Sequence, residues 1–420
     1  DKSGLVATFT ANEGDVVKVG DVVQVSGKTV NDFTNPVDYI VTNSDGSKSA
    51  LYSVSITSVN GKLEPLVTYS SLPVSDAVLR VKPDNKAPYL AFKEKSVTGS
   101  ESASADKLTV VNFLDGAWNL VGSAGFSNKV ASSHFDFDVD SKGGLYVAYA
   151  DNEASPKSAK VMGYSGGSWS LVGSGAANNF VAQNLSLAAM SDNNLVLLQK
   201  CNAKSDPFKR HDLVVSLYNG SWSSNTVLDI TSMAAVKTCK AGNTAYAFVI
   251  RRGKPYPHDV LKYVDGTWTA LRTNFVREGA TQTGNYVYDI TATEDGTVYI
   301  LTVDDAQTTS EYRIIVEKYS PEAGSWSIVS GGYYPFVSGD AHDVAKLAVA
   351  PDGTPYMLYY DYKNTTLRLT WFDSDTKQWA EPVVVATEAL SSPCIAFAAS
   401  GVGYIAFTDA NNAEKVFIYR

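Results

Sequence analysis

The sequence repeats a small turn followed by tryptophan six times: Gly116-Ala117-Trp118, Gly167-Ser168-Trp169, Gly220-Ser221-Trp222, Gly266-Thr267-Trp268, Gly324-Ser325-Trp326 and Lys377-Gln378-Trp379. The copies recur about every 52 residues. Repeats of this length that contain several short strands are typical of β-propellers, in which each repeat forms one sheet. Because the tryptophan keeps the same place in every copy, we interpret it as packing between neighbouring sheets.

Each repeat also contains a predicted hairpin and a predicted third strand. The second strand of the hairpin is predicted at Pro88–Phe92, Leu145–Tyr149, Leu195–Leu198, Ala245–Val249, Val298–Leu301, Tyr356–Tyr360 and Tyr404–Phe407. Third strands also number seven, but the tryptophan strand occurs only six times before the sequence stops. The segment Leu63–Tyr69 is therefore expected to supply the missing strand and close the ring. We predict an all-β chain in which residues 63–420 form a seven-bladed β-propeller, with six or eight blades as open alternatives.

The composition excludes several functional classes. Apolar residues make up 44% of the 420 residues and charged residues 19%, which is typical of a globular protein with a sizeable core. The formal net charge of −9 argues against nucleic acid or an anionic membrane surface as a partner. No run of 18 apolar residues occurs, so we predict no membrane span. Cys201, Cys239 and Cys394 lack metal-ligand spacing, and we predict neither a metal site nor a cofactor.

Residues 1–62 lack the repeat and alternate short apolar runs with turn-forming clusters. The Asp45-Gly46 turn lies between two such runs and predicts a β-hairpin whose aromatic residues, Tyr39 and Tyr52, lie in a small sandwich core. The stretch Asn35-Pro36-Val37-Asp38-Tyr39-Ile40-Val41-Thr42-Asn43-Ser44-Asp45-Gly46, followed by Tyr52-Ser53-Val54-Ser55-Ile56, resembles the Ig-like module at the N-terminus of Bacteroidetes surface lipoproteins.

This resemblance implies a location as well as a fold. Such modules usually follow a lipidated cysteine and hold the functional domain away from the membrane. Residues 1–62 are therefore expected to form a small Ig-like β-sandwich, with a lipid anchor upstream of Asp1. The chain is expected to be a monomer that is secreted or held at the outer-membrane surface.

The predicted ligand site lies on one face of the propeller, at the mouth of its channel. Two sets of loops form that face, those entering the first strand of each sheet and those joining the second strand to the third. All four histidines of the sequence fall in these loops. With nearby basic and aromatic residues they give the predicted site: His134, His211, Arg251, His258, Arg277, Tyr334 and His342. Aromatic faces stack on sugar rings, and basic groups bind hydroxyl or carboxylate oxygens.

Acidic residues recur at the ends of the second strands, and we interpret them as strand ends facing solvent: Asp151, Asp304, Asp361 and Asp409. Catalytic signatures are absent from the sequence, which has no Gly-x-Ser-x-Gly elbow, phosphate loop or His-Glu-x-x-His. A glycosidase would need a carboxylate pair, for which the candidates are Asp136, Asp138, Glu278 and Asp343. A lyase would use a base such as His134, His342 or Tyr334 beside Arg251.

We therefore interpret the chain as a cell-surface or secreted binding or adhesion protein whose propeller face captures a glycan or an extracellular protein. The alternative is a polysaccharide-active enzyme, a lyase or a glycosidase, that uses the same face. A third hypothesis is a structural platform that binds protein through its rims and binds no sugar.

Overall fold

The computed structural model describes residues 4–33, 35, 37–54, 65–69, 74–83, 87–94, 106–173, 175–191, 194–203, 207–278, 283–305, 312–329, 334–336, 345–361, 364–387, 390–409 and 415–419. The regular structure within these ranges consists of β-strands, so the predicted all-β class is confirmed. The described part of the chain contains no helix long and apolar enough to cross a membrane. The chain divides into two compact units, Asp1–Lys62 and Leu63–Arg420.

The first unit contains the strands β1 (Leu5–Val6), β2 (Val16–Val19), β3 (Val22–Val23), β4 (Val30–Asn31), β5 (Val37–Thr42) and β6 (Ser49–Val54). One antiparallel sheet has the order β3-β2-β5-β6, and β1 pairs with β4. The predicted hairpin joins β5 to β6. Its turn forms because Gly46 adopts a φ of 71° and Asp45 Oδ1 accepts the backbone N–H of Ser47.

The core of this unit forms around Tyr39, which is buried and stacks on Phe33 with ring centroids 6.3 Å apart. Tyr52 lies opposite Tyr39 across the hairpin, yet it is 57% exposed. The prediction that both aromatic residues lie in the core is therefore right for Tyr39 and wrong for Tyr52. The reason is that β6 is the outermost strand of the sheet, and all six of its residues are exposed.

The second unit consists of strands of two to ten residues. They are β7 (Pro65–Tyr69), β8 (Val74–Val81), β9 (Pro88–Glu94), β10 (Leu108–Leu114), β11 (Ala117–Leu120), β12 (Val130–Val139), β13 (Leu145–Asp151), β14 (Ala159–Ser165), β15 (Ser168–Leu171), β16 (Ala182–Ala189), β17 (Leu195–Cys201), β18 (Leu213–Tyr218), β19 (Trp222–Thr226), β20 (Met233–Ala241), β21 (Thr244–Arg251), β22 (His258–Val264), β23 (Thr267–Phe275), β24 (Thr283–Ala292), β25 (Val298–Asp305), β26 (Tyr312–Ser320), β27 (Ser325–Ile328), β28 (Tyr334–Phe336), β29 (Ala345–Val349), β30 (Pro355–Asp361), β31 (Thr366–Asp373), β32 (Gln378–Trp379), β33 (Val383–Ala386), β34 (Leu390–Phe397), β35 (Gly403–Asp409) and β36 (Lys415–Tyr419).

These strands form successive antiparallel sheets, numbered here from first to seventh: β8–β11, β12–β15, β16–β19, β20–β23, β24–β28, β29–β33, and β34–β36 with β7. The first strand of each sheet contacts the first strand of the next, and β34 contacts β8, so the sheets form a closed, propeller-like ring. The strand β7 pairs with β36 and completes the last sheet, since Tyr69 lies opposite Val416 and Thr68 opposite Phe417.

The repeated tryptophans pack between neighbouring sheets, as interpreted from the sequence. Trp169 Nε1 donates to the carbonyl of Val121 at 2.7 Å, and Trp222 Nε1 donates to that of Val172 at 2.8 Å. Each acceptor directly follows the last strand of the preceding sheet. The next residue in each case is a glycine with a φ of 80° or more. At Gly173 an added Cβ would lie 3.0 Å from Trp222 Cδ1, so the glycine makes room for the indole.

Carboxylates on the first strands also connect neighbouring sheets. The Oδ2 atom of Asp136 accepts the backbone N–H of Leu187 at 2.9 Å. The Oδ2 atom of Asp289 accepts that of Leu347 at the same distance, three sheets further round. These bonds join groups that would otherwise have no partner in the ladder of their own sheet, and they position the residues that line the central channel.

Candidate functional site

Most of the predicted site residues lie at one end of the strands, and we call this end the loop face. It carries the loops that join second to third strands, such as those between β17 and β18 and between β21 and β22. These two loops meet in space, because Arg252 Nη1 contacts His211 Nε2 across the boundary between the third and fourth sheets. The opposite end of the strands carries the tight turns between first and second strands.

The first strands are interrupted where they reach the loop face. The pairing register shifts between Val130 and Phe135 in β12, between Gln183 and Ser186 in β16, and between Met233 and Ala235 in β20. Similar shifts occur in β8, β24 and β34. Bulges of this kind turn side chains out of the ladder and are frequent beside binding sites. The backbone of His134 lies within the β12 bulge.

Arg251, at the end of β21, belongs to a brace inside the fourth sheet. Its Nε and Nη2 atoms donate to the two carboxylate oxygens of Asp259 at 2.7 and 2.8 Å. Asp259 is fully buried and also accepts the backbone N–H of Asn274. Arg251 therefore stabilises the fold, because a buried carboxylate such as that of Asp259 requires a charged or hydrogen-bonding partner.

The same brace recurs in other sheets with the charges exchanged. Asp151 ends β13 and accepts Lys160 Nζ at 2.6 Å, and Asp361 ends β30 and accepts Arg368 Nε at 3.1 Å. Burial alone would raise the pKa of Asp151, but its hydrogen bonds, the one from Lys160 foremost, hold that pKa below the ordinary value. Asp151 is fully buried. The interpretation of such residues as strand ends facing solvent is therefore wrong for Asp151.

His258 and Arg277 belong to a buried polar network between the fourth and fifth sheets. Arg272 donates to both oxygens of Glu317 at 3.0–3.1 Å, and Arg277 Nη2 donates to Glu317 Oε2 at 2.6 Å. The guanidinium of Arg272 also lies 3.9 Å from the ring centre of Phe275. Burial acts to raise the pKa of Glu317, but the two arginines that pair with it outweigh burial and hold that pKa below the ordinary value.

His258 is fully buried, at 0% exposure, and its Nε2 atom lies 3.2 Å from Arg272 Nη1. A guanidinium only donates hydrogen bonds, so Nε2 is the acceptor and the imidazole is neutral. Burial, and then the charge of Arg272, lower the pKa of His258 to about 3. In this conformation a ligand at the surface has no access to the imidazole.

His211 differs from His258 because it is half-buried at the loop face. Its backbone adopts a φ of 77°, in the left-handed region. The conformation is held on both sides, since its N–H donates to the carbonyl of Cys201 and its carbonyl accepts the N–H of Met233. Burial, Arg252, Arg210 and Lys200, in that order, lower the pKa of His211. The imidazole is therefore neutral near neutral pH and accepts a hydrogen bond from Arg252.

The remaining predicted site residues cannot be placed with their side chains. His342 and Asp343 lie outside the described residues. The side chains of His134 and Tyr334 are also outside the description, although the backbone of Tyr334 pairs with Ile314 in the fifth sheet. Of the seven predicted residues, the structure brings His258 and Arg277 together in one buried network. It places His211 in a loop of the loop face and Arg251 at the end of the neighbouring strand β21.

The ring encloses an axial channel of about 680 Å³. The first strands line it, and its charged residues are Arg80, Asp136, Asp138, Asp140, Lys237, Lys240, Asp289, Glu294 and Lys346. Asp138 contacts Lys240 and accepts Arg80 Nε at 3.3 Å, while Arg80 Nη2 lies 3.6 Å from Asp136. Burial acts to raise the pKa of Asp138, but Lys240 and Arg80 outweigh it and hold that pKa below the ordinary value. Asp138 is thus ionised and engaged in ion pairs.

The channel residues Lys237 and Lys346, and the loop residues Lys200, Arg210 and Arg252, were not among the predicted site residues. The sequence carries a signal for part of this set, because basic residues follow the second strands in Lys209-Arg210 and Arg251-Arg252. The signal for Lys200 is weaker, since it lies inside a strand and only the fold brings it to the loop face. In the described part of the chain no cluster of His, Cys, Asp and Glu side chains could hold a metal ion.

Residues 1–56 match a family model described as SGBP, N-terminal. A comparison with curated proteins gives no match. Among solved structures, an ulvan lyase of a polysaccharide lyase family, PL25, bound to -[GlcA(1-4)Rha3S]-, is similar with a TM-score of 0.53 and 12% identity over 85% of this chain and 95% of that chain. A second structure of a PL25 ulvan lyase has a TM-score of 0.54 and 11% identity over the same shares.

A fungal lectin from Aleuria aurantia, described as a six-bladed β-propeller with a fucose recognition mode, has a TM-score of 0.39 and 10% identity over 76% of this chain and 97% of that chain. The chain therefore has an N-terminal segment similar to that of SGBP proteins and an all-β, propeller-like fold. At these identities, the similarity to the lyase shows the fold alone.

Proposed function

We propose that this chain is a cell-surface glycan-binding protein that captures its ligand at the loop face without cleaving it. The observation that carries the proposal is the match of residues 1–56 to the N-terminal model of SGBP, the abbreviation for surface glycan-binding protein. The match falls on the part of the chain that lacks the repeat. The remainder forms a ring of sheets with bulged first strands and polar loops at one end.

In this proposal residues 1–62 form an Ig-like module and residues 63–420 form a seven-bladed propeller. The seven sheets, the contact between β34 and β8 and the pairing of β7 with β36 support this blade count. The module would carry the propeller as a monomer at the outer-membrane surface, from a lipid anchor upstream of Asp1. The ligand face includes His211 and, as predictions from the sequence, His134, Tyr334 and His342.

The second candidate is a polysaccharide lyase or glycosidase. Two observations favour it, the shared fold with an ulvan lyase at a TM-score of 0.53 and the presence of a neutral histidine beside an arginine at the loop face. A lyase needs a base beside a group that neutralises a uronate. However, the basic Nε2 atom of His211 already accepts a hydrogen bond from Arg252 in this structure, so it is occupied rather than directed at a ligand.

The carboxylates proposed for a glycosidase are engaged in a similar way. Asp136 accepts hydrogen bonds from Ser186 Oγ and from the backbone of Leu187, and Asp138 is paired with Lys240. A glycosidase acid needs a raised pKa, whereas the pKa of Asp138 is lowered. These arrangements support binding over hydrolysis at the channel.

A glycan array probed with the full chain, followed by incubation with each glycan retained, tests the proposal. We expect specific retention of a glycan, with no new reducing ends and no unsaturated uronate in the product mixture. Release of either product would show that the chain is an enzyme. Retention of no glycan by folded protein would reject glycan binding and favour the platform hypothesis.

A further inference from the structure

Four basic side chains converge at the loop face, where the third and fourth sheets meet. This basic cluster consists of Lys200 near the end of β17, Arg210 and His211 before β18, and Arg252 after β21. The contact between Arg252 Nη1 and His211 Nε2 joins its two halves. The backbone N–H of Arg252 donates to the carbonyl of Ser232, which fixes the loop against the entry to β20. Arg210 and Arg252 are exposed, and Lys200 is half-buried.

The basic cluster has no acidic counterpart in the described part of the chain. Lys200, Arg210 and Arg252 form none of the ion pairs found there, in contrast to Arg251, which is paired with Asp259. Two acidic residues are near the cluster in the sequence. Asp206 lies outside the described residues, and Asp212 is buried, with its Oδ2 atom accepting the backbone N–H of Lys209.

The cluster also departs from the repeat. The brace between second and third strands uses Asp151 with Lys160 in the second sheet and Arg251 with Asp259 in the fourth. The register places Cys201 and Val214 at the equivalent positions of the third sheet, where no such charge pair can form. The cations of this cluster therefore do not form the charge pair between second and third strands that Arg251 forms in the fourth sheet.

Unbalanced positive charge of this kind perturbs its own members. Burial, Arg252 and Arg210, in that order, lower the pKa of Lys200, and the same two arginines contribute to the lowered pKa of His211. Each group is thus easier to deprotonate because its neighbours are cationic. An anion bound among these groups would reduce the repulsion between them, so the cluster favours a ligand with negative charge.

We propose that the basic cluster binds the acidic groups, carboxylate or sulfate, of a polysaccharide, so that the glycan ligand of the loop face is anionic. This inference rests on the proposed glycan-binding function and specifies its ligand class. Planar guanidinium groups bind such anions through two parallel hydrogen bonds, and Arg210 and Arg252 are exposed enough to do so. The net charge of −9 does not prevent this, since at physiological salt exposed charges separated by more than about 8 Å are largely screened.

The test compares binding of the full chain to matched polymers by isothermal titration calorimetry or affinity electrophoresis. The probes are a polyuronate and its carboxyl-reduced form, and a sulfated galactan and its desulfated form. We expect binding to one acidic polymer and at least tenfold weaker binding to its neutral counterpart, a difference of about 1.4 kcal/mol. Which acidic polymer binds distinguishes carboxylate from sulfate.

The variants Arg210→Ala and Arg252→Ala should together weaken binding of the acidic polymer by at least about tenfold, because each arginine contributes a charge-assisted hydrogen bond. Arg252→Lys should have an intermediate effect, since the charge remains but the planar fork is lost. The control, Lys142→Ala with Lys377→Asn, removes two positive charges from turns at the opposite end of the strands and should leave binding unchanged.

Equal binding of acidic and neutral polymers, or unchanged binding by the folded double arginine variant, would overturn the inference and leave glycan binding in place. Retention of no polymer and no array glycan would instead reject the proposed function itself. A loss in the control variant equal to that in the arginine variant would also overturn the inference, because it would show a dependence on total charge alone.

Discussion

The buried histidine His258 should make the propeller-like unit sensitive to mild acid. Its imidazole is neutral in the folded chain, with a pKa of about 3, whereas an unfolded histidine has a pKa of about 6.5. A group whose pKa is lowered on folding stabilises the folded state above the unfolded pKa, and the stabilisation is lost as the pH falls below it. As the pH falls from about 8 to about 5, His258 becomes protonated in the unfolded chain but stays neutral in the folded chain. The loss in the free energy of unfolding is about 2 kcal/mol.

The assay is thermal unfolding followed by tryptophan fluorescence at the two pH values, for the parent chain and for His258→Gln. The glutamine keeps an oxygen that can accept from Arg272 but does not titrate. With an unfolding entropy of about 2.1 cal/mol/K per residue, 2 kcal/mol corresponds to a difference of about 2–3 °C in Tm for a unit of this size. We expect the acid-induced fall in Tm to be smaller by that amount in the variant. Other titrating groups are common to both chains and cancel. An equal fall in both would refute the reasoning.

Two further predictions concern the contacts between sheets. Gly173→Ala should destabilise the chain more than Gly167→Ala, because both residues have a φ of 80° or more but only at Gly173 would the new Cβ meet Trp222. The shared backbone cost is about 1–2 kcal/mol, and chemical denaturation should show an excess of about 1 kcal/mol or more for Gly173→Ala. Glu317→Gln should cost about 3–5 kcal/mol, since it leaves two buried arginines without their counter-charge, while the exposed Glu322→Gln should cost under about 0.5 kcal/mol. Equal denaturation midpoints within either pair would contradict the corresponding contact.

The repeat made the fold readable from the sequence because each sheet uses the same local devices. Trp169 and the glycine that follows its strand, Gly173, can both be read from the sequence. Trp169 bonds to the end of the preceding sheet, and Gly173 makes room for Trp222 of the next sheet. The need for a closing strand could be predicted as well, since a propeller-like ring has no free edge. The exposure of Tyr52 could not, because it depends on which strand ends the sheet.

The site was harder to predict, since residue type does not reveal what a side chain contacts. His211 lies just before a third strand and His258 begins one, yet the first is half-buried at the loop face and the second is fully buried against Phe248 and Phe275. Arg251 and Arg252 are adjacent in the sequence, and the alternation of a strand sends the first into a brace. These outcomes depend on partners 8 to 41 residues away, which the spacing of motifs does not encode.

The departures from the repeat are therefore more informative about function than the repeat itself. A feature that recurs in several sheets, such as the brace of Asp151 with Lys160, is explained by the stability of each sheet. A feature confined to one boundary and costly to maintain needs a different explanation, because like charges destabilise the fold unless something offsets them. The basic cluster around Arg252 meets both conditions, whereas in the network around Glu317 the carboxylate pairs directly with both arginines. Under the proposal made above, a ligand with negative charge would bind and stabilise the folded chain at the loop face between the third and fourth sheets.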